Sequence, residues 1–96
     1  MFEQLKFFKR TWLSKDLPLM QAHKTYGKYE LSVILEPGKM LYEVAILDQL
    51  GKFVILPGIH KDYEEEWCDD VIPCLDKSQV SVIMKKLELL MLKEGA

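Results

Sequence analysis

A chain of 96 residues with a net charge of −2, 49% hydrophobic and 29% charged, has the composition of one ordinary globular domain. A chain of this size buries roughly 65% of its unfolded surface. That balance excludes a disordered or collagen-like chain, and the apolar runs are too short and too interrupted to span a bilayer.

The net charge is unevenly spread. Residues 1–28 carry a charge of +4, whereas the remaining 68 residues carry −6. Two opposed surface poles follow only if folding keeps these ends apart. The first segment, MFEQLKFFKRTWLSKD, has charges inside its apolar stretch and no small-residue cleavage pattern, so it does not read as a signal peptide.

Leu5, Phe8 and Trp12 recur at i, i+3 and i+7, with Phe2 one turn earlier, and predict a short amphipathic helix over residues 2–13. Pro18 would stop it. In residues 17–27, Leu17, Leu19 and Met20 suit a short edge strand, and Gly27 marks a turn.

Lys28–Leu35 alternates cleanly. Tyr29, Leu31, Val33 and Leu35 share one face, with Lys28, Glu30 and Ser32 opposite, as in a half-buried strand. Glu36-Pro37-Gly38-Lys39 then has Pro and Gly where a type II turn requires them. Leu41–Leu47 and Lys52–Leu56 flank Asp48-Gln49-Leu50-Gly51, a type I turn closed by a glycine bulge. The result is a meander of three or four antiparallel strands.

Tyr63, Trp67 and Val71 recur at i, i+4 and i+8, which predicts one or two helical turns before Pro73. Asp76 is a good N-cap, and Gln79 three residues later completes a capping-box pattern. Val80, Ile83, Met84, Leu87, Leu90 and Met91 then trace one stripe of a C-terminal helix ended by Gly95. A sheet with one apolar face needs a cover, and this helix supplies it. The expected fold is a single α+β domain over residues 1–96, a small antiparallel meander packed on a C-terminal helix, with a short N-terminal helix.

No reactive constellation stands out. Cys68 and Cys74 are spaced C-x5-C, whereas zinc sites use closer pairs backed by a second pair, and His23 and His60 are isolated. Two reduced, metal-free thiols in the cytosol are the plainer reading. Asp69 and Asp70 beside Cys68 oppose thiolate formation, which argues against a nucleophile there. The five glycines form no phosphate-binding or dinucleotide fingerprint, and the acidic run lacks the central glycine of a calcium loop. No catalytic residue, cofactor or metal is expected, so the protein reads as a non-enzyme.

One segment has a nucleic-acid reading to weigh, and two further features exceed what folding requires. Lys6-Phe7-Phe8-Lys9-Arg10 with Trp12 interleaves cations and aromatics, a pattern that binds single-stranded nucleic acid. The acidic whole favours instead a helix with Phe8 and Trp12 in the core. Residues 62–70 hold six acids around two aromatics: Asp62, Tyr63, Glu64, Glu65, Glu66, Trp67, Asp69 and Asp70. Such a cluster suits a partner with a basic surface. Finally, Val82, Leu89 and Leu92 form a second apolar row on the last helix, suited to a homodimer contact or to burial beneath the N-terminal helix.

The segment Tyr42-Glu43-Val44-Ala45-Ile46-Leu47-Asp48 with Gly51, Phe53 and Val54, followed by Asp69-Asp70-Val71 and the helix capped by Asp76, resembles small accessory proteins of bacteriophages and prophages. The resemblance covers about half of the chain. It implies a cytoplasmic role in a bacterial host, in takeover or in evasion of defences, and brings no catalytic residues. The sequence therefore points to a binding protein that occupies a protein or ribonucleoprotein, such as an inhibitor of anti-CRISPR or anti-restriction type. The alternative is a nucleic-acid-binding accessory protein using the N-terminal segment.

Overall fold

The computed structural model describes residues 1–10, 19–56 and 71–94. Among these residues five strands form one antiparallel sheet in chain order: β1 (Phe8–Arg10), β2 (Leu19–Tyr26), β3 (Tyr29–Leu35), β4 (Tyr42–Leu47) and β5 (Val71–Leu75). One helix, α1 (Lys77–Lys93), packs on one face of that sheet. The α+β class and the helix-covered meander are as the sequence indicates, with five strands in place of three or four.

Local chemistry explains the turns. Lys39 N donates to Glu36 O at 3.1 Å, and Gly38 has φ +75°, the positive value that the third residue of a type II turn needs. At the β4 turn Gly51 N donates to Asp48 O at 3.1 Å, while Asp48 Oδ1 accepts from Leu50 N and Lys52 N. Gly51, at φ +78°, forms the left-handed bulge. The capping box of α1 is complete: Asp76 Oδ1 accepts from Gln79 N and Gln79 Oε1 accepts from Asp76 N, both at 2.8 Å.

Period-2 alternation decides the layers. Ala22, Leu31, Val33, Val44, Ile46, Ile72 and Leu75 face α1 and meet Val80, Ile83, Met84, Leu87 and Met91 in a single core. The opposite face carries rows fixed by the register, including Phe8–Gln21–Ile34–Glu43 and His23–Ser32–Ala45–Val71.

Three expectations need correction. First, the helix over residues 2–13 contracts to a 3-10 turn, Phe2–Gln4, followed by β1. Leu5 enters the core, while Phe2 and Phe7 pack around Tyr42 with ring centroids 5.0 and 5.7 Å away. Phe8 then pairs with Gln21, because aromatic side chains favour the pleated surface over a marginal short helix. This makes β2 an interior strand, not an edge. Trp12 lies outside the described residues.

Second, Lys52–Leu56 is not a strand. Only Phe53 bridges to Leu47, and Val54 N donates to Ile46 O. Most of β4 pairs instead with β5, whose Ile72 and Leu75 reach the helix stripe. Third, Val71 belongs to β5 rather than to a helical turn; Tyr63 and Trp67, its expected partners in that turn, lie outside the described residues. Pro73 is tolerated there because β5 is an edge strand. Pro73 and Cys74 together oppose Glu43, and Cys74 takes a left-handed φ of +60° in this bulge.

Candidate interaction surface

The second sheet face carries a polar chain set by strand register. Arg10 Nε donates to Gln21 Oε1 at 3.1 Å, and Gln21 Nε2 donates to Ser32 Oγ at 3.0 Å. One row further, His23 Nδ1 lies 2.9 Å from Glu30 Oε1. Each contact is diagonal, between residues two places from direct cross-strand partners, as the twist of adjacent strands allows. Sequence reasoning placed Glu30 and Ser32 on the polar face but did not connect them to Gln21 and His23. The signal was present in the alternation of Gln21, His23 and Thr25 along β2.

Ser32 stands directly opposite His23, and Glu30 engages that histidine, so three residue types of a hydrolytic relay are neighbours. Ser32 is buried, however, and its Oγ is taken up by Gln21. A nucleophile has to face its substrate.

β1 differs from the expected core element. Phe8 is 57% exposed, and Lys6, Lys9 and Arg10 are exposed around it. The edge of the sheet therefore presents an aromatic ring flanked by cations.

The row Val82, Leu89 and Leu92 is also exposed, at 52, 51 and 68%. The N-terminal turn meets the helix elsewhere, where Phe2 N donates to Ser81 Oγ at 3.0 Å. Burial beneath that segment is thus excluded as the reason for the row. Lys85, Lys86 and Lys93 are exposed on the same side of the helix. Glu94 is engaged by Lys28 at 3.2 Å, which holds the Lys28 ammonium pKa above its usual value. Lys85 and Glu88 lie 3.9 Å apart. The outward face of α1 is consequently apolar along its middle and positive beside it.

Among the described residues two grooves add to this surface. One, of about 470 Å³, lies at the start of α1 and is lined by Phe2, Glu3, Lys77, Ser78 and Ser81. The Asp76 carboxylate already accepts from Gln79 N and places a negative charge at that helix end, which disfavours an anion there. The other, of about 300 Å³, runs along the β3–β4 turn past Met40, Glu43 and the exposed Cys74 thiol. Among the described residues no group of three His, Cys, Asp or Glu side chains is placed to hold a metal ion. Among them, too, no helix is long and apolar enough to cross a membrane. The acidic segment Asp62–Asp70, with Cys68, and also His60 lie outside the described residues.

Fold and surface together define a small helix-backed antiparallel meander with exposed apolar and charged faces. The chain matches no known protein family, and no similar curated protein or solved structure was found.

Proposed function

We propose that this is a non-enzymatic protein that acts by occupying a macromolecular partner, most concretely a phage-encoded inhibitor of a bacterial defence or host enzyme. The observation that carries the reading is the exposure of Val82, Leu89 and Leu92 on a helix whose other side is fully packed. Exposed aliphatic side chains on a rigid element are what a binding protein offers. The resemblance of the Tyr42–Asp48 segment to phage accessory proteins supplies the biological setting. The acids of residues 62–70 supply a second contact, suited to a basic groove such as a nuclease uses for nucleic acid.

The test is affinity capture from bacterial lysate with wild type and with Glu64→Lys, Glu65→Lys and Glu66→Lys combined. A partner identified by mass spectrometry, retained by wild type and lost by the triple variant, supports the reading. Equal retention by both removes the acidic segment from it.

The exposed Phe8 among Lys6, Lys9 and Arg10 favours one further reading, a nucleic-acid-binding accessory protein. A base stacks on an exposed ring, and neighbouring cations hold the phosphates. Fluorescence anisotropy with a single-stranded oligonucleotide separates the two readings. Binding that weakens in Phe8→Ala and falls steeply with salt favours nucleic acid.

A further inference from the structure

We infer that β1 accepts an extended acidic segment of a partner protein, which adds to the sheet as a further strand. This rests on the reading of the chain as a protein that occupies a macromolecular partner, but not on the acids of residues 62–70. Among the described residues the sheet ends on β1 at one side and on β5 at the other. β5 is blunted twice: Pro73 has no N–H to offer, and the bulge at Cys74, with φ +60°, twists the edge away. β1 has neither device. Phe8, Lys9 and Arg10 run in continuous register with Gln21, Met20 and Leu19, and all three are exposed. Their outward N–H and C=O groups are a template for another strand.

The charge of this edge selects the strand. Lys6, Lys9 and Arg10 are exposed, and none of them makes an ion pair among the described residues. Glu3, the one acid of residues 1–10, lies 2.9 Å from the Met1 ammonium, and β2 carries no acid. Arg10 Nε donates to Gln21 Oε1, which leaves the rest of the guanidinium for a carboxylate. Alternation puts Phe8 and Arg10 on the open side of the sheet and Lys9 on the helix side. An incoming strand therefore meets cations on both faces, and the matching segment has acids on both faces with an apolar residue opposite Phe8.

Other occupants fit less well. A second copy pairing edge to edge brings the cations of both copies together. Single-stranded nucleic acid uses successive aromatic platforms, whereas Phe7 is packed against Phe2 and Tyr42, which leaves Phe8 as the exposed ring of β1. A phosphate chain has no N–H to give the outward carbonyls of a strand edge.

Isotope-labelled full-length protein is titrated with a synthetic peptide in which glutamates flank a central phenylalanine. Saturable amide shifts centred on residues 8–10 are expected, together with slowed hydrogen exchange of β1 amides. That protection marks a new ladder, because side-chain attraction alone leaves the amides in water. An N-methylated version of the peptide keeps the charge but has no N–H to donate, and should bind roughly tenfold more weakly or worse. Lys6→Glu with Lys9→Glu should weaken the parent peptide roughly tenfold, with the melting temperature unchanged because both side chains are exposed. The inference is overturned if no saturable shifts appear at β1, if the N-methylated peptide binds as well as its parent, or if the charge reversal leaves affinity unchanged. It is equally overturned if a single-stranded oligonucleotide perturbs β1 more strongly than the peptide, or if light scattering shows that self-association covers this edge. Any of these failures leaves the capture from lysate, with the triple reversal at residues 64–66, as an independent test of the broader reading.

Discussion

Gln21 Nε2 donates a hydrogen bond to Ser32 Oγ at 3.0 Å, and Ser32 is the buried polar side chain of the described sheet. This contact ties β2 to β3 on the face away from the helix. Losing Gln21 strands a buried hydroxyl, whereas losing both partners strands nothing.

The first prediction is therefore non-additivity. Gln21→Ala should destabilise the protein by about 1–2 kcal/mol, and adding Ser32→Ala should recover part of that loss. Urea denaturation of both single variants and the double variant gives the coupling, expected at about 1 kcal/mol. Simple additivity would mean that the contact contributes nothing beyond its parts.

The second prediction concerns the helix. Leu87 is fully buried under the sheet, and Leu89, two residues on, is exposed. Leu87→Ala should cost about 2–5 kcal/mol through lost burial and a cavity, whereas Leu89→Ala should stay within about 0.5 kcal/mol. Thermal or urea melts of the two variants compare the faces directly. A large loss at Leu89 would place that side chain in a packed contact.

How much of this was legible in the sequence depended on how far apart the interacting residues lie. Asp48 with Gly51, Pro37 with Gly38, and Asp76 with Gln79 act within four residues of one another, and each turn or cap formed as its chemistry dictates. The stripe Val80–Met91 was equally readable, because helical spacing is local. β5 was not: Val71 and Ile72 pair with Ala45 and Val44 across more than twenty residues, and Pro73 looked like a terminator rather than part of an edge. At the N-terminus, Leu5 and Phe8 satisfy helical spacing in a segment too short for spacing to decide. Cross-strand pairing with β2 settled it. The Arg10–Gln21–Ser32 chain required a register that only the folded sheet supplies.

The third prediction tests the bulge at Gly51. Its φ is +78°, and an added Cβ would meet no atom within 4 Å. Gly51→Ala therefore suffers from backbone conformation alone, by about 1–2 kcal/mol. A D-alanine introduced by chemical synthesis fits the same φ and should restore or exceed the stability of wild type. Equal destabilisation by both enantiomers would indicate a steric cause instead.

The last prediction is a pH dependence with a fixed sign. Tyr26 is buried against the core, and burial, reinforced by the nearby Glu88 carboxylate, pushes its phenol from 10.0 up to about 12. Both causes disfavour the phenolate, so the folded state holds the proton more tightly than the unfolded state does. The associated stability is fully present below pH 10 and drains away between pH 10 and about 12. By pH 11 the loss should reach about 1.4 kcal/mol, one logarithmic unit of proton affinity. Tyr26→Phe keeps the ring in place and has no proton to lose. Its stability relative to wild type should thus rise as pH is taken from 9 to 11, measured by urea denaturation at each pH. Lysine deprotonation over the same interval affects both proteins alike and cancels in the difference. A difference that stays constant from pH 9 to 11 would show that the Tyr26 phenol titrates alike in the folded and unfolded states.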